Sequence, residues 1–161
     1  MAAINTTLAN TDIYPFSKFR FRITIDGGPQ ARVSEITGTD STTDVIEYRV
    51  GDYEYNSAMK MPGLTKYGNI TLKWGMTTNK ELYDWVRSTI GTTEQGDADG
   101  VKRKNITIEL LNRADGTTVK ASWQLLNAWP CKYTGPDFNA TSSEIAFESL
   151  ELAHEGVQRL T

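Results

Sequence analysis

The chain has 161 residues, 39% hydrophobic and 23% charged, with a formal net charge of −3 at pH 7. That length suits one domain, which buries roughly 68–70% of its unfolded surface and needs no metal or disulfide to fold. The negative balance gives no general attraction to nucleic acid or anionic lipid, no apolar run approaches the ~20 residues of a membrane span, and the single cysteine, Cys131, excludes an internal disulfide framework.

Residues 1–14 are polar and aperiodic, and read as an arm ahead of a single domain over 15–161. They lack a basic segment followed by an apolar one, so no secretory signal is read and a reducing cytoplasm is the expected compartment. From Lys18 to Ile25 the alternation is clean: Phe19, Phe21, Ile23 and Ile25 against Lys18, Arg20, Arg22 and Thr24. This predicts a half-buried strand. Residues 31–38 and 43–50 read as a hairpin with its tip at 39–42. Its apolar side (Val33, Ile36, Ile46, Tyr48, Val50) is thin. Residues 52–60, with Tyr53, Tyr55 and Met59, read as a contact loop.

Met61–Trp85 is the most informative stretch. Pro62-Gly63 reads as a turn. Ile70, Leu72, Trp74 and Met76 alternate as a strand, and Leu82, Trp85, Val86 and Ile90 then recur at helical spacing. Thr78-x-x-Glu81 is read as the capping box of that helix and Gly91 as its stop. Residues 91–102 are polar and glycine-rich, the one candidate linker. Their Asp97-x-Asp99-Gly100 lacks the later ligands of a calcium loop.

Residues 105–111 and 117–126 predict a second hairpin around Asp115-Gly116. Trp129–Tyr133 restarts an extended segment ending at Gly135-Pro136. The last strand, 144–153, sets Ile145 and Phe147 on one face and Leu150 and Leu152 on the other, which predicts cover on both sides. Glu148, Glu151 and Glu155 read as a solvated rim. The Asn-x-Ser/Thr sequons at Asn5, Asn69, Asn105 and Asn139 are read as coincidental.

Chemistry is sparse. His154 is the one histidine, Cys131 follows a proline, and there is no nucleophile elbow, phosphate loop or dinucleotide fingerprint. The chain reads as a non-enzyme with no metal or cofactor.

Four segments carry a family resemblance: Gly63–Leu72 (GLTKYGNITL), Glu81–Trp85 (ELYDW), Asn127–Pro130 (NAWP) and Glu151–Gly156 (ELAHEG). In this order and spacing, and from about Tyr14 to Leu160, the chain resembles the inner tail tube proteins of contractile phage tails and phage-like injection systems. The resemblance implies a mainly β subunit, sandwich or barrel-like, with one short helix. It implies homo-hexameric rings whose strands join into one barrel, stacked into a tube inside a contractile sheath. Baseplate, spike and terminator proteins would be partners, DNA or protein the cargo, and no subunit would insert in a membrane. Such a subunit would be made in the cytoplasm of the producing bacterium and work within the assembled particle.

On this reading the lumen candidates are Thr37, Thr39, Asp44, Glu47, Arg49, Asn105, Thr107 and Glu109. The inter-subunit candidates are Lys18, Arg20, Arg22, Tyr53, Tyr55, Met59, Met61, Pro62, Tyr67, Leu150 and Leu152. Two further readings stay open: a soluble β-barrel module binding a small ligand, and a hydrolase using Cys131 and His154.

Overall fold

A computed structural model describes residues 15–26, 28, 30–90, 101–141 and 143–161. In chain order the elements are β1 (Phe21–Ile25), β2 (Gln30–Ala31), β3 (Glu35–Thr37), β4 (Ser41–Tyr48), β5 (Met59–Tyr67), β6 (Ile70–Gly75), α1 (Glu81–Ile90), β7 (Lys104–Leu111), β8 (Val119–Thr134), β9 (Phe147–Ala153) and β10 (Gly156–Arg159). The described residues are mainly β with one short helix.

β8 organises the body. Its first half pairs with β7 and β10, and its second half pairs with β9. The change of partner falls where Asn127 takes a positive φ of 51°. Cys131 is an extra residue between Pro130 and Lys132 in the pairing with β9. Such irregularities bend a strand sharply. So 119–126 and 129–133, read separately from sequence, form one bent strand that belongs to two layers. One layer is β2-β1-β7-β8-β10; the other is β8-β9-β6-β3.

Both layers point their alternate side chains into one core. Ile23, Ile106, Ile108 and Leu125 come from the first layer, and Ile70, Leu72, Trp74, Leu150 and Leu152 from the second. Trp85 and Val86 of α1 join them. The cap of α1 comes from Asn79, whose Oδ1 accepts from the Glu81 amide at 2.9 Å, and not from the Thr78–Glu81 box. The Gly91 stop and the Asp97–Gly100 segment lie outside the described residues, as do residues 1–14. The hairpin of β7 and β8 forms as predicted. Asp115 Oδ1 accepts from the amides of Thr117 and Thr118 at 2.9 and 3.0 Å, and Gly116 sits at φ 67°.

Three sequence readings are corrected. Residues 31–38 and 43–50 do not pair with each other: β2 pairs with β1, β3 with β6, and β4 with β5. The loop of the true hairpin is 49–58. Pro62 and Gly63 are not a turn but lie within β5. The pairing shifts there between Thr43 and Val45, so β5 carries one residue more than β4. A bulge needs the same permissive residues as a turn, which is why the two look alike in sequence. Finally, β9 keeps one buried face throughout: Glu148, Leu150 and Leu152. A buried carboxylate broke the apolar alternation and made the strand seem to change sides. Glu148 is therefore no solvated rim residue.

Candidate assembly surfaces

β4 and β5 continue the β3–β6 pair. Thr37 pairs with Thr71 at the end of the body, and Ser41 with Tyr67 at the start of the projecting ribbon. A joint lies between. Gly38 holds φ 95°, and a Cβ there would overlap the Asn69 carbonyl. The Gly68 amide donates to the Asp40 carbonyl at 3.1 Å. From β9's side, His154 Nε2 lies 2.9 Å from the Gly68 carbonyl, and Asn69 Nδ2 donates to Glu151 Oε1 at 2.8 Å. A carbonyl only accepts, so that ring nitrogen carries the proton. The joint is thus pinned to the body by two side-chain bonds.

Beyond it the ribbon is bare. All eight residues of β4 are exposed, and all nine of β5 except Gly63, which is intermediate. Among the described residues, β4 and β5 pack substantially only on each other. Ile46 is 50% exposed, Tyr48 54% and Met61 47%. A two-stranded ribbon is marginal by itself in water, and an exposed apolar strand edge is an association site.

The ribbon's two faces differ. Asp44 and Lys66 form an ion pair at 3.0 Å on one face, beside Gly63, whose open side faces Asp44 and Ile46. Ile46–Met61 and Tyr48–Met59 are cross-strand pairs further out on that face. The other face carries Thr43 and Thr65, 3.0 Å apart through their hydroxyls, then Val45–Pro62, then the Glu47–Lys60 pair at 3.6 Å. Tyr53 and Tyr55 stack edge to face in the loop at 5.8 Å.

The body offers two outer surfaces. On the second layer, register places Thr37, Thr71, Glu151 and Lys132 in one row and Glu35, Lys73, Ser149 and Thr134 in the next. On the first layer, Thr24, Thr107, Gln124 and Gln158 form a row, and Arg22, Glu109 and Ser122 another. Arg22 Nε meets Glu109 Oε2 at 2.6 Å.

These rows sort the sequence candidates. Thr37 lies on the outer face of the second layer, and Asn105, Thr107 and Glu109 lie on that of the first. Asp44 and Glu47 point to opposite faces of the ribbon, while Thr39 is in the joint and Arg49 in the loop. One channel wall does not hold all eight. Arg22, assigned to a contact surface, and Glu109, assigned to the lumen, are partners on one face. Tyr67 stands at the joint, its ring 5.6 Å from His154. Met59, Met61 and Pro62 are exposed on the ribbon, and Lys18 and Arg20 are exposed ahead of β1. Leu150 and Leu152 are fully buried in their own subunit, so they are core and not contact residues. The apolar surface that sequence reasoning missed is Met76, Ile145 and Phe147. Phe147 pairs with Gly75, the Met76 amide donates to the Ala146 carbonyl at 2.8 Å, and Lys73 Nζ sits 4.9 Å from the Phe147 ring centre.

The chemistry-bearing residues are structural. Glu148 accepts from Trp74 Nε1 and from the Tyr133 hydroxyl, each at 2.8 Å. Burial, then the bond to Glu148, pushes the Tyr133 phenol up to about 12. The Cys131 thiol donates to the Glu151 carbonyl at 3.3 Å. Burial and the neighbouring Glu151 push it upward, opposite to an activated nucleophile. Among the described residues no group of three or more His, Cys, Asp or Glu is placed to hold a metal ion, and no helix is long and apolar enough to cross a membrane.

A family model described as "T4-like virus tail tube protein gp19" matches residues 17–158. A chain of the anti-feeding prophage cap (AFP tube terminating cap) is 37% identical, with 92% of each chain covered and a TM-score of 0.78. A chain of the sheath–tube complex of the extracellular contractile injection system PVC, in its extended state, is 34% identical over 92% of this chain and 93% of that one, also with a TM-score of 0.78. Hcp1 from Flavobacterium johnsoniae shares the fold, at 16% identity, with 88% of this chain and 95% of that chain covered and a TM-score of 0.54. No curated protein matches the chain.

Proposed function

The chain belongs to the T4-like tail tube protein family, and from that premise we propose that its copies close into hexameric rings and stack into the inner tube of a contractile tail or injection particle. It is a structural tube component and not an enzyme. The tube would run inside a contractile sheath, between baseplate and spike at one end and a terminator at the other, and carry DNA or protein. Copies made in the bacterial cytoplasm would be built into the particle there.

The observation that carries this reading is the bare ribbon. A folded subunit that leaves two strands without a second layer is built to find that layer on another copy. The second layer of the body has open edges to receive such joining: β3, with β4 beyond it, and the C-terminal half of β8, which pairs only with β9 among the described residues. Joined edge to edge around a ring, this layer becomes a closed wall without free edges. Its outer face, with Thr37, Thr71, Lys73, Glu151 and Lys132, would then line the channel. Asn105, Thr107 and Glu109 would face outward. Non-identical surfaces meeting head to tail give rings where the rotation closes and filaments where it does not.

Electron microscopy of the purified protein tests this. Rings or tubes are expected. Monomers at high concentration, also with sheath and baseplate proteins present, would favour the small-ligand module instead.

A further inference from the structure

Resting on the tube reading, we infer that Asn105 sets the bend of β8 and, through it, the number of copies that close a ring. Among the described residues β8 is the one strand shared by both layers. Its C-terminal half is also a free edge of the second layer, the layer proposed to join copy to copy. That half starts just past the bend, so the bend angle fixes how the edge is presented to the neighbouring copy.

In the pairing of β7 with β8, Lys104 stands opposite Ala128 and Ile106 opposite Leu125. One residue of β7, Asn105, therefore faces two of β8, Leu126 and Asn127. Such a bulge bends the longer strand and interrupts the ladder of backbone bonds. Asn105 mends the ladder with its side chain: Oδ1 accepts from the Asn127 amide at 3.1 Å. Asn127 reaches it with φ at 51°, a conformation that asparagine tolerates better than most side chains. Both ends of the link are anchored. Asp26 clamps the backbone of Asn105: its amide donates to the Asn105 carbonyl at 2.8 Å, and its Oδ1 accepts from the Asn105 amide at 2.9 Å. Beyond β8, Asn127 Nδ2 donates to Glu155 Oε2 at 2.6 Å, and the Glu155 amide donates to the Leu126 carbonyl at 3.0 Å. The link thus runs from the end of β1 through β7 and β8 to the turn between β9 and β10.

Asn105, Asn127 and Glu155 are all exposed. They lie outside the apolar core, yet they hold the one place where the two layers are continuous. A closed ring repeats one contact, so an angular error repeats with it, and about 10° per copy is enough to change a six-membered ring by roughly one copy. A link worth little to folding can therefore decide closure.

Asn105→Ala and Asn105→Asp test this role. Ring symmetry is counted by electron microscopy and folding is followed by a circular-dichroism melt, at about 0.3 M salt to screen the added charge. The wild-type protein is expected to give rings of a single symmetry. Asn105→Ala removes the acceptor. It is expected to lose that single symmetry, giving rings of several sizes and open arcs, while its melting midpoint moves by no more than about 4 °C. Asn105→Asp keeps an acceptor oxygen at the same position and is expected to restore the wild-type symmetry. Wild-type symmetry alone from Asn105→Ala, the same defect from Asn105→Asp, or a larger fall in midpoint for Asn105→Ala would each overturn the role of Asn105 in closure and leave the tube reading standing. Wild-type protein that forms neither rings nor tubes would overturn both.

Discussion

β5 and β6 follow one another in the chain, joined through Gly68 and Asn69, and they share an alternating composition. Yet Ile70, Leu72 and Trp74 are buried, while Met59, Met61 and Leu64 stand in solvent. The first three face a second layer within the subunit, and the last three face none. Pattern therefore decides that a segment is a strand, but the presence of a facing layer decides what the strand contributes. In the body, alternation makes a core. In the ribbon, it makes a surface that awaits one.

The sharpest break in this comparison is a truncation at an equivalent-looking residue on each side. Leu150→Ala removes a fully buried side chain from the centre of the core. A loss of roughly 2–5 kcal/mol is expected, because the cavity adds to the lost transfer energy. Urea denaturation of the isolated subunit measures it. A loss below about 1 kcal/mol would mean that the second layer is not the core described here.

Glu148→Ala should come next. It leaves the Trp74 indole N–H and the Tyr133 hydroxyl buried without an acceptor. Unmet buried donors cost about 1–3 kcal/mol each, partly relieved if water enters. The same site gives a pH signature. Tyr133, with an ordinary value of 10.0, titrates in the folded protein at about 12. Its folded value is raised, so its contribution to stability is complete below pH 10 and is lost as pH rises through 12. In a spectrophotometric titration of the seven tyrosines, one late ionisation near 12 is expected. Tyr133→Phe should abolish it. Glu148→Gln should move it only part of the way back, because burial is the larger cause.

Glu148 also marks the limit of what the chain discloses. The β7–β8 hairpin, the first strand and β6 were legible, because apolar and polar residues alternate without interruption and Asp115-Gly116 names its own turn. β9 was misread because the buried face begins with a carboxylate, and only its distant partners Trp74 and Tyr133 explain why it is there. The ribbon was legible as strand but not as a pair. The run 38–42 resembles a turn, and the glycine at its head serves a joint between two collinear pairs instead. α1 was placed correctly, while its cap moved from Thr78 to Asn79, since both residues are competent caps. Of the contact candidates, Tyr55, Met59, Met61 and Pro62 come from a stretch that the structure leaves exposed. Met76, Ile145 and Phe147 were passed over because they had been counted as strand faces.

Gly38→Ala sits on the border between the two regions. The added Cβ would meet the Asn69 carbonyl, and φ 95° is strained for any L side chain. A cost of about 1–3 kcal/mol is expected, less than for the core truncation. The ribbon should respond more than the body. Amides of β4 should exchange faster in the variant, whereas those of β6 and β9 keep their protection. Equal loss in both would show that the joint is part of the core and not a boundary.

The smallest expected effect on the isolated subunit is at Met61. Met61→Thr changes an exposed ribbon residue that touches no core, so subunit stability should move by less than about 0.5 kcal/mol. Polar replacement there removes apolar surface that nothing in the same copy covers. Hydrogen exchange carries the comparison through. Amides of β4 and β5 should be only weakly protected in the isolated wild-type subunit and slow strongly in assembled tubes, while β6 and β9 are protected in both states. In Met61→Thr the slowing should be partly lost although the denaturation curve is unchanged. A ribbon already protected in the monomer would show that it folds on its own subunit, and its bare face would then need another cause.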